Sequence, residues 1–265
     1  MTQIMGILNV TPDSFSDGGQ FTQTERAVDH ALQMVEQGAD WIDIGGESTR
    51  PGAQAVSVGQ ELERVIPVIE ALIRALPNAR ISIDTSKPEV MQAAVNAGAK
   101  MINDVAALTF EGALKTASQL NVDVCLMHMQ GDPRTMQQNP DYQDVVSEVK
   151  SFLTKRSRYC IESGIASEKI LIDPGFGFGK TLQHNLVLLR SLGEFKQTGF
   201  RLLVGLSRKS MLQAITGQAV EKRLAGSLAL ALLSHMGGAD IVRVHDVEQT
   251  RDVLQVADAV LQAKV

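Results

Sequence analysis

Polar side chains follow most of the short apolar runs in this chain, and their types suit the recognition of a flat ring and of an anion. A carboxylate can accept two parallel N–H bonds from an amidine-like edge, an Asn side chain both donates and accepts, and a Lys donates to ring oxygen or nitrogen. Arg and His suit phosphate oxygens. The predicted ring group is Asp84, Asn103, Asp173 and Lys209, and the predicted anion group is Asn9, Arg50, Arg243 and His245.

Each of these polar residues could also be structural, because a single Asp at the end of a strand often caps the next helix. Asp43, Glu47 and Thr49 extend the set after another apolar run. A ring of charged and amide groups in a mostly apolar scaffold is costly to bury without partners. As a set, these residues therefore indicate a binding or catalytic site.

Strand-like and helix-like segments alternate with a regularity that predicts the scaffold. The strands are short, continuous Ile, Leu and Val runs, which are typical of parallel strands buried on both faces. We expect strands at residues 4–8, 41–44, 80–84, 100–103, 122–127, 170–172, 202–205 and 241–244. We expect helices at residues 24–37, 62–76, 112–120, 144–163, 184–192, 223–236 and 247–263, and a further helix that Ser86 caps and Pro88 begins.

Eight strand–helix units in a chain of 265 residues predict a single (β/α)8 TIM barrel over residues 1–265. A doubly wound open sheet is the main alternative fold. In a TIM barrel the active site is built at the C-terminal ends of the strands. The polar residues stand at these ends in the sequence, so the fold and the candidate site support each other.

The composition argues against several classes of protein. Hydrophobic residues make up 44% of the chain and the formal net charge is −5, values that disfavour non-specific nucleic-acid binding. Cys125 and Cys160 lack a CxxC spacing, so we expect free thiols in a reducing compartment. No apolar run reaches membrane-spanning length, and no secretory leader is recognisable. We therefore expect a cytoplasmic protein with small-molecule substrates and without a membrane or nucleic-acid partner.

Two motifs that resemble known ligand sites fail on inspection. DPGFGFGKT at residues 173–181 nearly spells a P-loop, but Pro174 stands where the first Gly is required, and no GxGxxG pattern is present. The five histidines form no HxH or HxxxH pair. A metal, if one is used, would be Mg²⁺ held mainly by substrate phosphates and by one or two oxygen ligands.

Seven segments, in order along the chain, resemble the bacterial dihydropteroate synthase family. The two longest are GILNVTPDSFSDGG at residues 6–19 and GGESTRPG at residues 45–52. The others are IDTS at 83–86, IND at 102–104, DPGFGFGK at 173–180, SRKS at 207–210 and RVH at 243–245. Many members carry a short hairpin before the first strand, whereas only residues 1–3 precede it here.

The resemblance implies a reaction of folate synthesis. A (7,8-dihydropterin-6-yl)methyl diphosphate condenses with 4-aminobenzoate to give 7,8-dihydropteroate and diphosphate. The path is expected to be dissociative, because the carbon left by the diphosphate is next to an electron-rich ring and the aromatic amine is already neutral. The resemblance also implies Mg²⁺, a homodimer and a target of sulfonamides.

The resemblance assigns residues to roles as well. The expected catalytic residues are Asp84, Lys209, Arg243 and His245. The expected pterin-binding residues are Asp84, Asn103, Met127, Asp173, Phe178 and Lys209. The diphosphate is expected at Asn9, Thr49, Arg243 and His245, with Asn9 also binding Mg²⁺, and the aminobenzoate at Thr49, Arg50, Pro51 and Ser210. Residues 11–19 and 45–55 are expected to be mobile segments that close over the diphosphate and the amine.

Three other functions fit part of the pattern. A pterin-dependent methyltransferase on the same barrel would share Asp84, Asn103 and Asp173, but it would not need the 5–19 segment or the Arg243 and His245 pair. A Schiff-base aldolase would use Lys209 as its nucleophile. A non-catalytic pterin-binding protein would bind the same ring without chemistry.

Overall fold

Eight parallel strands close into one barrel, which confirms the predicted TIM barrel and excludes the open sheet. The computed structural model describes residues 2–11, 20–48, 55–132 and 135–263. Each strand pairs with its sequence neighbours, and β8 pairs with β1 to complete the ring. The strands are β1 (Gln3–Asn9), β2 (Trp41–Gly45), β3 (Ile81–Asp84), β4 (Met101–Asp104), β5 (Asp123–Met127), β6 (Ile170–Asp173), β7 (Arg201–Val204) and β8 (Ile241–Val244).

Helices cover the outside of the barrel in the order that the sequence predicts. They are α1 (Gln20–Glu36), α2 (Val58–Ala75), α3 (Pro88–Asn96), α4 (Ala113–Leu120), α5 (Val145–Glu162), α6 (Leu182–Arg190), α7 (Leu192–Lys196), α8 (Ser210–Thr216), α9 (Leu224–Met236) and α10 (Val247–Leu261). The segment expected as one helix at 184–192 is divided at Ser191 into α6 and α7. Among the helices of the described ranges, not one combines the length and the apolar character needed to span a bilayer.

The expectation that Ser86 caps α3 is wrong. Lys87 occupies the N-cap position without a side-chain capping bond, and the Ser86 hydroxyl donates to the buried Asp104 carboxylate instead. Pro88 at the first turn has no N–H, so one of the donors that a cap would satisfy is absent. The hydroxyl is therefore free to stabilise the carboxylate at the end of β4.

Strand side chains alternate between the helices and the barrel interior, and this alternation divides the core in two. One set, which includes Ile42, Ile83 and Ile172, packs against the helix layer. The other set fills the interior of the barrel as a separate apolar layer. Its members are Met5, Trp41, Met101, Cys125, Leu171, Leu203 and Ile241.

Several of the predicted polar residues lie two positions beyond this apolar layer and therefore share its face. Asp43 follows Trp41 by two residues, Asn103 follows Met101, and Asp173 follows Leu171 in the same way. A step of two along a strand returns the side chain to the same face, one layer nearer the C-terminal end. The apolar layer is thus the floor on which the polar layer stands.

Truncation of this floor should destabilise the protein more than truncation of an outer helix. Leu171 is fully buried, so Leu171→Ala should lower the free energy of unfolding by about 2–5 kcal/mol through lost burial and a residual cavity. Leu186 on α6 is 37% exposed, and Leu186→Ala should cost less than about 1 kcal/mol. Denaturant titration of both variants measures the difference, and equal losses would contradict the role given to the floor.

Candidate active site

The guanidinium of Arg243 joins three strands at the mouth of the barrel. Its Nε donates to Asp43 Oδ2 at 2.6 Å, and its Nη2 donates to Asp84 Oδ2 at 2.9 Å. Asn103 Nδ2 donates to the same Asp43 oxygen at 3.1 Å. The ring group and the anion group predicted from the sequence therefore meet directly, at the Arg243–Asp84 ion pair.

Asp43 is a member of this site to which the sequence argument gave no role. Its side chain is fully buried, and Oδ1 accepts no hydrogen bond from any residue that the structure describes. The sequence placed Asp43 in the set of polar residues after the strands, and its position two residues after Trp41 places it in the polar layer. Its partners on β4 and β8 could not be read from the spacing alone.

Burial and charge act in opposite directions on Asp84. Loss of water raises the pKa of the Asp84 carboxyl, the Arg243 guanidinium lowers it and the Asp43 carboxylate raises it, and the net result is a pKa of about 7. The two carboxylates raise the pKa of Arg243, which therefore stays cationic. A fixed cation thus lies between two acidic groups, one of which titrates near neutral pH.

Asp173 and Lys209 form the other side of the mouth. Asp173 Oδ1 accepts the backbone N–H of Gly175 at 2.8 Å. Burial raises the pKa of the Asp173 carboxyl to about 6, although Gly175 and Lys209 oppose this, and burial lowers the pKa of Lys209 to about 8, against the effect of Asp173. Lys209 Nζ lies 4.2 Å from the centroid of the Phe178 ring, within the range of a cation–π contact.

The apolar residues predicted to contact the ring form one small cluster. Met127 and Phe178 pack together with Met136, which the sequence argument did not single out. Met136 lies within the long connection between β5 and α5, where no periodicity marks a side chain as buried. Ser210 is exposed and begins α8, next to Lys209.

Asn9 ends β1 and His245 directly follows β8, the two strands that close the barrel. The backbone N–H of His245 donates to Ser207 Oγ at 3.2 Å, and the His245 Nδ1 atom lies 3.0 Å from the same oxygen. Ser207 thus holds both the backbone and the ring of His245. Asn9 ends β1, and its Oδ1 lies 3.8 Å from the position that a Cβ on Gly45 would occupy.

Several predicted residues lie outside the described ranges. These are Thr49, Arg50 and Pro51, together with residues 12–19 and 52–54 of the two segments expected to be mobile. The base of the second segment is described. Glu47 Oε1 accepts the backbone N–H of Val56 at 3.0 Å, and Lys87 Nζ contacts both Glu47 Oε2, at 2.5 Å, and the fully buried Glu61.

The described residues are compatible with a magnesium ion that takes few ligands from the protein. Within residues 2–11, 20–48, 55–132 and 135–263, no three His, Cys, Asp or Glu side chains cluster as a metal site. Asn9, at the end of β1, offers one amide oxygen beside Gly45. Mg²⁺ commonly retains waters and binds through one or two protein oxygens and substrate phosphates.

Comparison with known proteins identifies the family. A model of the family described as "Pterin binding enzyme" matches residues 5–245. The chain is 52% identical to the dihydropteroate synthase of Escherichia coli strain K12 over 261 residues, which cover 98% of this chain and 92% of that protein. It is also 52% identical to the enzyme of Haemophilus influenzae, with 98% and 94% covered.

Solved structures give the same result. The dihydropteroate synthase of Xanthomonas albilineans with 4-aminobenzoic acid superposes with a TM-score of 0.94 at 52% identity, covering 99% of this chain and 94% of that chain. A complex of the enzyme from that organism with 7,8-dihydropteroate superposes with a TM-score of 0.90 at 48% identity, covering 99% and 95%. Since these similarities extend over nearly the whole barrel and its polar mouth, the chain belongs to the dihydropteroate synthase family of pterin-binding enzymes.

Proposed function

We propose that this chain transfers a pterin-methyl group from (7,8-dihydropterin-6-yl)methyl diphosphate to 4-aminobenzoate, releasing diphosphate and forming 7,8-dihydropteroate. The observation that carries this proposal is the polar layer at the mouth of the barrel, in which Asp84, Asn103, Asp173 and Lys209 stand above an apolar floor. The relatives named above support the same reaction, because the Xanthomonas enzyme has been solved both with 4-aminobenzoic acid and with 7,8-dihydropteroate.

The pterin ring is proposed to lie between the two titrating carboxylates. Asp84 and Asp173 are buried acceptors that suit the N–H groups of an amidine-like edge, and Asn103 can donate and accept beside them. Lys209, held over Phe178, is positioned to donate to ring oxygen or nitrogen. Met127 and Phe178 provide the apolar contact for the flat face of the ring.

The diphosphate is proposed to bind on the side of the mouth formed by β1 and β8. Arg243 uses Nε and Nη2 in its ion pairs, whereas Nη1 makes no hydrogen bond to a described residue and can donate to a diphosphate oxygen. His245 is oriented by Ser207 at the end of β8, and Asn9 ends the neighbouring strand. Thr49 is a further proposed contact.

A magnesium ion at Asn9 is part of the proposal. The ion would supply charge neutralisation for the diphosphate, and Asn9 Oδ1 would be its protein ligand. Thr49, Arg50, Pro51 and Ser210 are proposed to seat the aminobenzoate.

The arrangement favours departure of the diphosphate before the new bond is complete. Arg243 and His245 stabilise the negative charge that develops on the leaving group, while Asp84 and Asp173 stabilise the cationic pterin-methyl carbon that remains. An aromatic amine is neutral at pH 7, so no strong general base is required. This is consistent with a mouth that contains ion pairs rather than a nucleophile–base pair.

We also propose a cytoplasmic homodimer. Apolar side chains that are more than half exposed occur on the adjacent helices α9 and α10, and they include Met236, Val256 and Val260. Exposed apolar patches of this kind commonly mark association surfaces. Cys125 and Cys160 are both free and buried, as expected in a reducing compartment.

Release of diphosphate distinguishes this function from its alternatives. The purified chain should release diphosphate from the pterin diphosphate with Mg²⁺, form dihydropteroate only when 4-aminobenzoate is present, and lose activity with a chelator. Methyl transfer without diphosphate release would favour a pterin-dependent methyltransferase. Borohydride trapping of a carbonyl substrate on Lys209 would favour the aldolase, and pterin binding without turnover would favour a non-catalytic protein.

The carboxylate of Asp173 should control pterin binding and its pH dependence. Asp173→Asn should weaken binding of 6-hydroxymethylpterin by about 10- to 100-fold at pH 8, because a charge-assisted hydrogen bond is lost. Wild-type affinity should fall as pH decreases through about 6, where the carboxyl gains a proton and can no longer accept two N–H bonds. The variant should show a shallower fall, since residue 173 then no longer titrates.

Calorimetry at several pH values measures both effects of the Asp173 change. Asp123→Asn is the matched control, because Asp123 begins the neighbouring strand at the opposite end of the barrel and pairs with Arg201. Unchanged pterin affinity in Asp173→Asn would count against the assignment.

Loss of His245 should affect the diphosphate rather than the ring. His245→Ala should weaken binding of the pterin diphosphate by about tenfold or more, because the anion loses a charge-assisted donor. Binding of the pterin without its diphosphate should change by less than about twofold. Calorimetry with both ligands measures the difference, and His30→Ala on α1 is the control. Equal losses for the two ligands would exclude this role.

A further inference from the structure

We propose that Lys180 is a positioning residue of the pterin subsite, whose buried ammonium group joins the loop after β6 to the end of β5 and so fixes Asp173 and Phe178. The inference rests on the proposed function only in naming the ligand as a pterin. Lys180 is 3% exposed and belongs neither to the predicted ring group nor to the predicted anion group.

The ammonium of Lys180 is surrounded by acceptors from two different loops. Nζ lies 2.9 Å from the Gly175 carbonyl oxygen and 3.0 Å from that of Phe178, both in the loop after β6. It lies 3.2 Å from the carbonyl oxygen of His128 and 3.0 Å from His128 Nδ1, both just after β5. One side chain therefore links the two loops by four polar contacts.

The ammonium is held by neutral acceptors. Burial, and to a lesser extent the charge of Lys180, lowers the pKa of His128 to about 3, so the ring is uncharged at neutral pH. Loss of water also lowers the pKa of Lys180 to about 7, and Lys209 adds to this while Asp173 opposes it. Three of the four contacts of Lys180 are to backbone carbonyl oxygens, and the positions of these oxygens define the path of the loop.

The two loops approach each other too closely to tolerate side chains at the contact. A Cβ on Gly175 would clash with the carbonyl oxygen of His128, and a Cβ on Gly179 would clash with that of Gln130. Both glycines have positive φ angles, of 69° and 61°. Close packing of backbone against backbone leaves several carbonyl groups without water, and the Lys180 ammonium is the group that satisfies three of them.

The loop that Lys180 holds carries two of the proposed pterin contacts. Gly175 donates its N–H to Asp173 Oδ1, and its carbonyl oxygen accepts from Lys180 Nζ. The backbone of Gly175 therefore connects the Asp173 carboxylate to the Lys180 ammonium. Phe178, which lies beneath Lys209, also accepts from Lys180 through its carbonyl. Without the ammonium, the Phe178 carbonyl would be unpaired and the Gly175 carbonyl would keep only the backbone N–H of Phe178, at 3.1 Å, so the loop would have to open to water.

A second lysine provides a matched control at the other end of the barrel. Lys169 Nζ donates to the carbonyl oxygen of Asn121 and to Asn121 Oδ1, the latter at 2.6 Å. This contact also joins the units of β5 and β6, but it lies before the two strands and is exposed. Lys169→Met therefore removes a comparable link without touching the mouth.

The test compares binding of two ligands, 6-hydroxymethylpterin and inorganic diphosphate with Mg²⁺, to the full-length chain by calorimetry. Lys180→Met should weaken pterin binding by about tenfold or more and should change diphosphate binding by less than about twofold. Lys169→Met should leave both affinities unchanged. Lys180→Ala should recover pterin affinity when propylammonium is added, because the small cation can replace the missing group.

Tyr142→Phe provides an independent test of the same loop if neither Lys180 variant folds. The Tyr142 hydroxyl donates to the carbonyl oxygen of Gly179 at 2.9 Å, so its removal loosens the same loop while the ammonium stays in place. Pterin binding should then weaken by about two- to fivefold, with diphosphate binding unchanged.

The result that overturns the inference is specific. A folded Lys180→Met that binds the pterin as the wild type does, or that loses both ligands equally, excludes a positioning role, as does unchanged pterin binding in Tyr142→Phe. Failure of the wild-type chain to bind the pterin would instead overturn the proposed function.

Discussion

The mouth of this barrel depends on the pairing of buried charges. Asp43 is fully buried, and the guanidinium of Arg243 is the cation that compensates it while also contacting Asp84. Removal of one member of a buried ion pair lowers the free energy of unfolding by about 3–5 kcal/mol, because the remaining charge is buried without a partner. Because the partners come from β2, β3 and β8, the ion pairs tie distant parts of the sequence into one layer.

The apolar floor strengthens the electrostatic interactions between the charged groups of the mouth. Met5, Trp41, Leu171 and their neighbours exclude water from the interior of the barrel, and electrostatic interactions at a given distance are stronger where water is absent. The same exclusion raises the pKa values of Asp84 and Asp173 and lowers that of Lys209. The packing of an apolar layer thus sets the ionisation of the layer above it.

The order of elements and most of the polar layer could be predicted from the sequence, because both depend on local patterns. Continuous apolar runs mark parallel strands, and polar residues directly after them mark the strand ends. The Asp43–Arg243 pair could not be predicted, since it joins residues 200 positions apart that meet only when the barrel closes. The contacts of Lys180 could not be predicted either, because its acceptors are mainly backbone carbonyl oxygens, which every residue has. The capping role predicted for Ser86 is wrong for a related reason, because Asp104, which accepts from its hydroxyl, lies at the end of β4 and is 18 residues away in the sequence.

The two-residue spacing between floor and mouth has a consequence for how such a protein can diverge. On β4, Met101 belongs to the floor and Asn103 to the mouth, and on β8 the corresponding residues are Ile241 and Arg243. The lower residue of each pair packs the scaffold, and the upper residue presents the ligand chemistry. A lineage can therefore explore new substrates by exchanging upper residues, but a change at Arg243 must also remove the buried charge of Asp43, because that charge would otherwise lack its partner.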